Sequence, residues 1–251
     1  STLMRSSAAS DVYKRQVFYI AAAMAFIPTM IIMYVLLRKY TYPHTEHPYF
    51  NDPQFFILFA VGLIAGTILF LVYTYIMNSL VGVVLYALIQ CLVLVVVMNL
   101  KRFRGVSDSI FYGFGFGLGA GCAGGTGFIF YIATATDSLG DSVDLAGYAF
   151  LFVMALAMIF QYSAVGINVG EGIARHNPMQ FTVQAMISNL VFWIIVTIAL
   201  FNSDSVFMYV MAVAALAISA FYLYFAYTRE IAGLVRDVDE QNRKGRKKKS
   251  A

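Results

Sequence analysis

Leu80–Arg104 reads LVGVVLYALIQCLVLVVVMNLKRFR. From Leu80 to Leu100 no residue is charged, and Gln90 and Asn99 are the only amides. The run then closes on Lys101, Arg102 and Arg104. About 20 apolar residues cross the hydrocarbon core of a bilayer as a helix. A basic cluster directly after such a run marks the side that faces the cytoplasm. Working outward from this segment, six more stretches read the same way: 17–37, 55–77, 109–133, 145–168, 180–201 and 205–228. Arg38 and Lys39 follow the first, Arg175 the fifth, and Arg229 the seventh. The alternate connections carry Asn78 and Ser79, then Asp137, Asp141 and Asp144, then Asp204. Every Lys and Arg beyond residue 16 therefore falls on one side. The expectation is an all-α, seven-helix transmembrane bundle in a cell membrane, with its N-terminus outside and its C-terminus cytoplasmic.

The chain has 251 residues, 61% apolar and 12% charged. A soluble domain is nearer half apolar and a quarter charged. The division expected is a leader over 1–16, one membrane domain over 17–228 and a basic cytoplasmic tail over 229–251. The leader contains SSAASDVYKRQ (Ser6–Gln16), which resembles translated sequencing-adapter read-through. It is set aside as non-native or disordered, and the native start is then expected to be missing. The net charge of +4 comes from the tail, where Arg243, Lys244, Arg246, Lys247, Lys248 and Lys249 cluster. Next to a bilayer such a cluster fits anionic headgroups rather than nucleic acid.

The fourth stretch contains YGFGFGLGAGCAGGTGF (Tyr112–Phe128). Gly113, Gly117, Gly121 and Gly125 recur every four residues, and Gly115 and Gly119 form a second row that continues through Ala123 to Gly127. Residues four apart lie on one helix face. In lipid, close backbone approach drives helix association. Each row is expected to pack a different neighbour. Gly62/Gly66 and Gly166/Gly170 repeat the spacing elsewhere.

Amides are the main polar groups within the spans: Asn78, Gln90, Asn99, Gln161, Asn168, Gln184 and Asn189, with Thr67. No ionisable side chain is expected well inside a span. Such groups mark proton relays, ion paths and catalytic centres, so a pump or a proton-coupled carrier is disfavoured. The seventh stretch has no Lys for a retinal Schiff base. Cys91 and Cys122 read as buried packing thiols. His44, Glu46, His47 and Asp52 share a loop without metal-ligand spacing, so no metal or cofactor is expected. Gly170 and Gly172, with Pro178, are expected to break the fifth helix, leaving Glu171, Arg175 and His176 to cap it.

TEHPYFNDPQFFILFAVGLIAG (Thr45–Gly66), after a first helix bearing Pro28, and RFRGVSDSIFYGFGFGLGAGCAGG (Arg102–Gly125) resemble the PrsW-type intramembrane proteases over residues 25–170. The catalytic groups of that family do not carry over. Gln90, Cys91 and Leu94 stand where its Glu-Glu-x-x-Lys motif would lie. Gly124 and Gly125 stand where it has Glu-Asn, and Gln161 or Tyr162 where it has His. Amide, thiol and glycine cannot bind metal or activate water as carboxylate and imidazole do. The resemblance implies a member without protease activity. In layout and glycine spacing the chain is also similar to the scaffold subunit of gamma-secretase, in the same wider superfamily. The expectation is a helix-packing scaffold or binding subunit with a membrane-protein partner. Two alternatives stay open: a degenerate hydrolase with Cys91 as nucleophile, and a facilitative transporter with a path lined by Gln90 and Gln161.

Overall fold

The computed structural model describes residues 2–41, 44, 49–76, 79–103, 108–138, 143–201 and 205–249, with side chains described between 12 and 240 except at 205. Among them the regular elements are all helical: α1 (Thr2–Leu37), α2 (Asp52–Ile76), α3 (Leu80–Met98), α4 (Ser109–Ser138), α5 (Leu145–Ala174), α6 (Pro178–Phe201), α7 (Ser205–Phe225), a π-helical turn (Ala226–Ile231) and α8 (Ala232–Lys249). Seven of the helical segments are long and apolar enough to cross a membrane. The chain is an all-α, multi-pass membrane protein.

Local chemistry sets the helix ends. Ser79 accepts from Gly82 N–H at 3.0 Å to start α3, and Asp144 accepts from Gly147 N–H at 2.7 Å to start α5. Both satisfy backbone donors that a helix N-terminus leaves open. Pro178 opens α6, where its missing N–H is no loss. Gly170 and Gly172 do not break α5, which runs through both to Ala174. The stop comes at His176, whose φ is 57°. Asn177 N–H bonds Gly172 C=O at 2.9 Å and His176 N–H bonds Ile173 C=O at 3.3 Å, closing the turn as a Schellman motif. Glycines inside a helix lower its propensity by about 1 kcal/mol each. Without competing water the helical bonds hold regardless.

Helices α4 and α5 form the centre. More than half of each is buried, whereas α1 and α7 are mostly exposed to the surroundings. Exposed Ile, Leu, Val, Phe and Tyr on the outer helices give the lipid-facing surface. The connections bearing Arg38, Lys101 and Arg175 gather at one end of the bundle, here the basic end. Ring contacts there join Tyr40 to Phe111 and Tyr227, Phe50 to Phe111, and Phe103 to Tyr112. The seventh helix does not stop at 228. It continues through the π-helical turn into α8, and Ile231 and Leu234 are buried against the bundle. Similarly, α1 begins at Thr2, so residues 2–16 are continuous with the first span.

Candidate functional site

The glycine rows of α4 contact two different helices. A Cβ built on Gly113, Gly117, Gly121 or Gly125 meets α5: Gly166 O at 2.1 Å, Tyr162 O at 2.2 Å, Ile159 Cα at 2.8 Å and Ala155 Cβ at 3.1 Å. On Gly115 and Gly119 it meets α2: the Phe55 ring at 2.9 Å and Phe59 O at 2.1 Å. The contact is reciprocal. Gly62 and Gly66 of α2 meet Phe116 O at 2.2 Å and Ala120 O at 2.5 Å, while Gly166 and Gly170 of α5 meet Gly113 O at 2.2 Å and Ser109 O at 2.6 Å. Backbone rests on backbone along α4, so dispersion replaces the hydrophobic drive that lipid does not supply.

Beside this stack, at mid-depth, lies a polar cluster made of neutral groups. Gln90 Oε1 of α3 accepts from Trp193 Nε1 at 2.8 Å and from Asn189 Nδ2 at 2.9 Å, both on α6. Asn189 Nδ2 also donates to Ala87 C=O at 3.0 Å. The Tyr86 and Tyr162 hydroxyls pair at 3.1 Å, joining α3 to α5. The Tyr73 ring of α2 lies tilted against Trp193 at 4.9 Å and edge-on to Tyr86 at 5.3 Å between centroids. Cys91 is fully buried. A cavity of about 10 Å³ sits between Leu69, Gln90, Leu94, Phe116, Gly117 and Tyr162. That is room for roughly one water molecule.

Gln161 and Tyr162 point in different directions. Tyr162 faces the Gln90 cavity, and its hydroxyl is 3.7 Å from a Cβ built on Gly124. Gln161 turns away and donates to Ser188 Oγ of α6 at 3.1 Å. So Gln90, Leu94, Tyr162 and Gly124 converge, while Gln161 does not join them and Gly125 packs on Ala155. Gln161 does not line the small cavity that Gln90 borders.

Toward the basic end a second polar layer appears, and here a sequence expectation needs correction. Two carboxylates assigned to a loop and a tail are buried within helices: Glu171 (5% exposed) in α5 and Glu230 (6%) in the π-helical turn. Arg175 Nε donates to Glu171 Oε1 at 2.6 Å, and its Nη1 lies 3.3 Å from Asp237 Oδ2 of α8. One turn deeper, Asn168 Nδ2 donates to the Tyr222 hydroxyl at 2.7 Å, joining α5 to α7. Glu230 lies within electrostatic reach of Glu171 and Tyr222. Read one residue at a time, Glu230 looks like an interfacial charge. The signal that could have found it is the apolar run around it (YFAYTREIAGLV), which continues the helical pattern past Arg229. Nearby, Tyr49 donates to Asp239 Oδ1 at 2.9 Å. Burial, and next the bond to this carboxylate, push the Tyr49 hydroxyl above the ordinary phenol range.

His44 and Asp52 line an open groove of about 360 Å³ between α1 and α2 with Arg38 and Thr41. Glu46 and His47 lie outside the described residues. Among the described residues no group of three or more His, Cys, Asp or Glu is placed to hold a metal. The side chains of Arg243, Lys244, Arg246, Lys247, Lys248 and Lys249 also lie outside the described set, although their backbone belongs to α8.

Fold and site together define a seven-helix membrane protein with a glycine-packed centre and a neutral polar core. No protein-family model, curated protein or solved structure matches the chain.

Proposed function

We propose that this chain is a non-catalytic scaffold or binding subunit of a cell membrane, related to the PrsW-type proteases and lacking their chemistry. The observation that carries the reading is the occupancy of the mid-depth cluster. Its positions converge from three helices as a family site would, yet Gln90, Tyr162 and Gly124 offer an amide, a phenol and no side chain. Gln90 Oε1 already accepts two protein donors, and the Tyr162 hydroxyl is paired with Tyr86. Groups engaged in this way join α3, α5 and α6 rather than receive a substrate. The glycine faces of α4 are likewise filled from within the chain, so a partner would dock on the outer helices. Positive charge at the basic end supports a cytoplasmic position for that end. The six clustered cations of 243–249 then lie against anionic headgroups, each contributing about 1 kcal/mol near the surface.

The test is purification of the full-length chain from its native membranes in mild detergent. A scaffold brings a stoichiometric membrane protein with it. Recovery of the chain alone, with cleavage of membrane-embedded peptides by the purified sample, would overturn the reading. For the tail, replacing the six cations with Gln should lower the anionic lipid recovered per chain. Unchanged lipid recovery would remove that assignment.

A further inference from the structure

We propose that Glu230 is a proton-binding site that latches α8 to the bundle: the helix is docked while this carboxyl carries a proton and is released when the proton leaves. Glu230 sits in the π-helical turn that joins α7 to α8, and π-helical turns recur where helices carry functional groups. It is 6% exposed, and its Oε2 has no hydrogen-bond partner among the described residues.

The charges around it do not balance an ionised Glu230. From α5 it faces Glu171 and Arg175. Arg175 is already shared between Glu171 and Asp237 of α8. From α7 it faces the neutral Tyr222 hydroxyl. The other charges on its own turn and on α8 are directed elsewhere. Arg229 lies over the Phe225 ring, Arg236 donates to Ala232 C=O, Asp239 accepts from Tyr49, and Glu240 is exposed. One guanidinium thus lies among three carboxylates and pairs with two of them, leaving the buried Glu230 without an ion pair among the described residues. Burying an unpaired charge is far more costly than burying the neutral acid.

Relief is close at hand. Beyond the turn, the contacts that hold α8 to the bundle among the described residues are Arg175 to Asp237, Tyr49 to Asp239 and the buried Leu234, next to Ile231 at the end of the turn. Swinging α8 away would admit water to the carboxylate. The docked form holds one proton that the released form lacks, so rising pH favours release, by at most about tenfold per pH unit.

The test uses the full-length chain with spin labels at Gln180→Cys and Glu240→Cys, in phosphatidylcholine vesicles from pH 5 to pH 9. Both positions are exposed, and the native thiols Cys91 and Cys122 are buried. The expected result is a short interlabel distance at pH 5 that gives way to a longer, broader one at high pH. Glu230→Gln keeps the short distance throughout, because the amide is always neutral. His176→Gln, which removes the exposed imidazole beside Arg175, leaves the transition in place. A distance that does not change with pH overturns the proposal. So does a transition that survives Glu230→Gln, or one that disappears with His176→Gln.

Discussion

Gly117 of α4 lies directly beneath the carbonyl of Tyr162 in α5: a methyl group on its Cα would sit 2.2 Å from that oxygen. The obstacle is backbone, which cannot rotate aside. Gly124, on the same helix, has only the Tyr162 hydroxyl within reach, at 3.7 Å.

Gly117→Ala should therefore destabilise the bundle by about 1–3 kcal/mol through overpacking. Gly124→Ala should leave it nearly unchanged, although both substitutions raise helix propensity equally. Thermal unfolding in detergent measures the difference. Equal midpoints for the two variants would mean that α4 and α5 are not packed backbone to backbone.

Gln90 is the acceptor for two buried donors, Asn189 Nδ2 and Trp193 Nε1. Gln90→Leu keeps the volume and strands Trp193 Nε1, at about 1–3 kcal/mol, while Asn189 Nδ2 keeps its bond to Ala87 C=O. Thr67→Val removes a hydroxyl that bonds only the Leu63 carbonyl of its own helix and should have little effect. Trp193 is the single tryptophan of the chain, so its emission reports unfolding at this site. Matching unfolding curves for the two variants would contradict the assignment.

Both thiols are enclosed, Cys91 and Cys122 each at 0% exposure. A polar thiol reagent should label neither in the folded protein and both after denaturation. Labelling of Cys91 in the native state would favour the hydrolase alternative, since an accessible, ionised thiol is what a nucleophile requires.

Arg175 and Asp237 differ in what they leave behind. Asp237→Asn removes a surface pairing worth at most about 1 kcal/mol. Arg175→Met strands the buried Glu171 and should cost more, about 1–3 kcal/mol, because an unsatisfied buried group keeps its full desolvation penalty. Chemical unfolding of the two variants side by side checks the order. A milder effect for Arg175→Met would mean that water reaches Glu171.

The spans were legible because the bilayer imposes a one-dimensional rule: an apolar run of sufficient length becomes a helix. The α4 glycine rows were equally visible, because their four-residue period belongs to a single helix. Two errors share one cause. By residue type, Gly170 and Gly172 suggest helix breakers, and the charges from Arg229 onward suggest a cytoplasmic tail that would include Glu230. In the fold, Gly170 lies against α4 and Gly172 against Phe181 of α6, while Glu230 is buried within the turn that joins α7 to α8.

From its order of residues alone this chain specified seven crossings, the end at which its cations gather and the smooth faces of its central helix. These follow from transfer of side chains into lipid and from helical periodicity, which need no knowledge of neighbours. Which amide meets which indole, whether Gln161 or Tyr162 turns toward Gln90, and where an unpaired carboxyl comes to rest were decided only by tertiary packing. Such contacts depend on how helices far apart in the chain are rotated against one another, and no local pattern encodes that rotation.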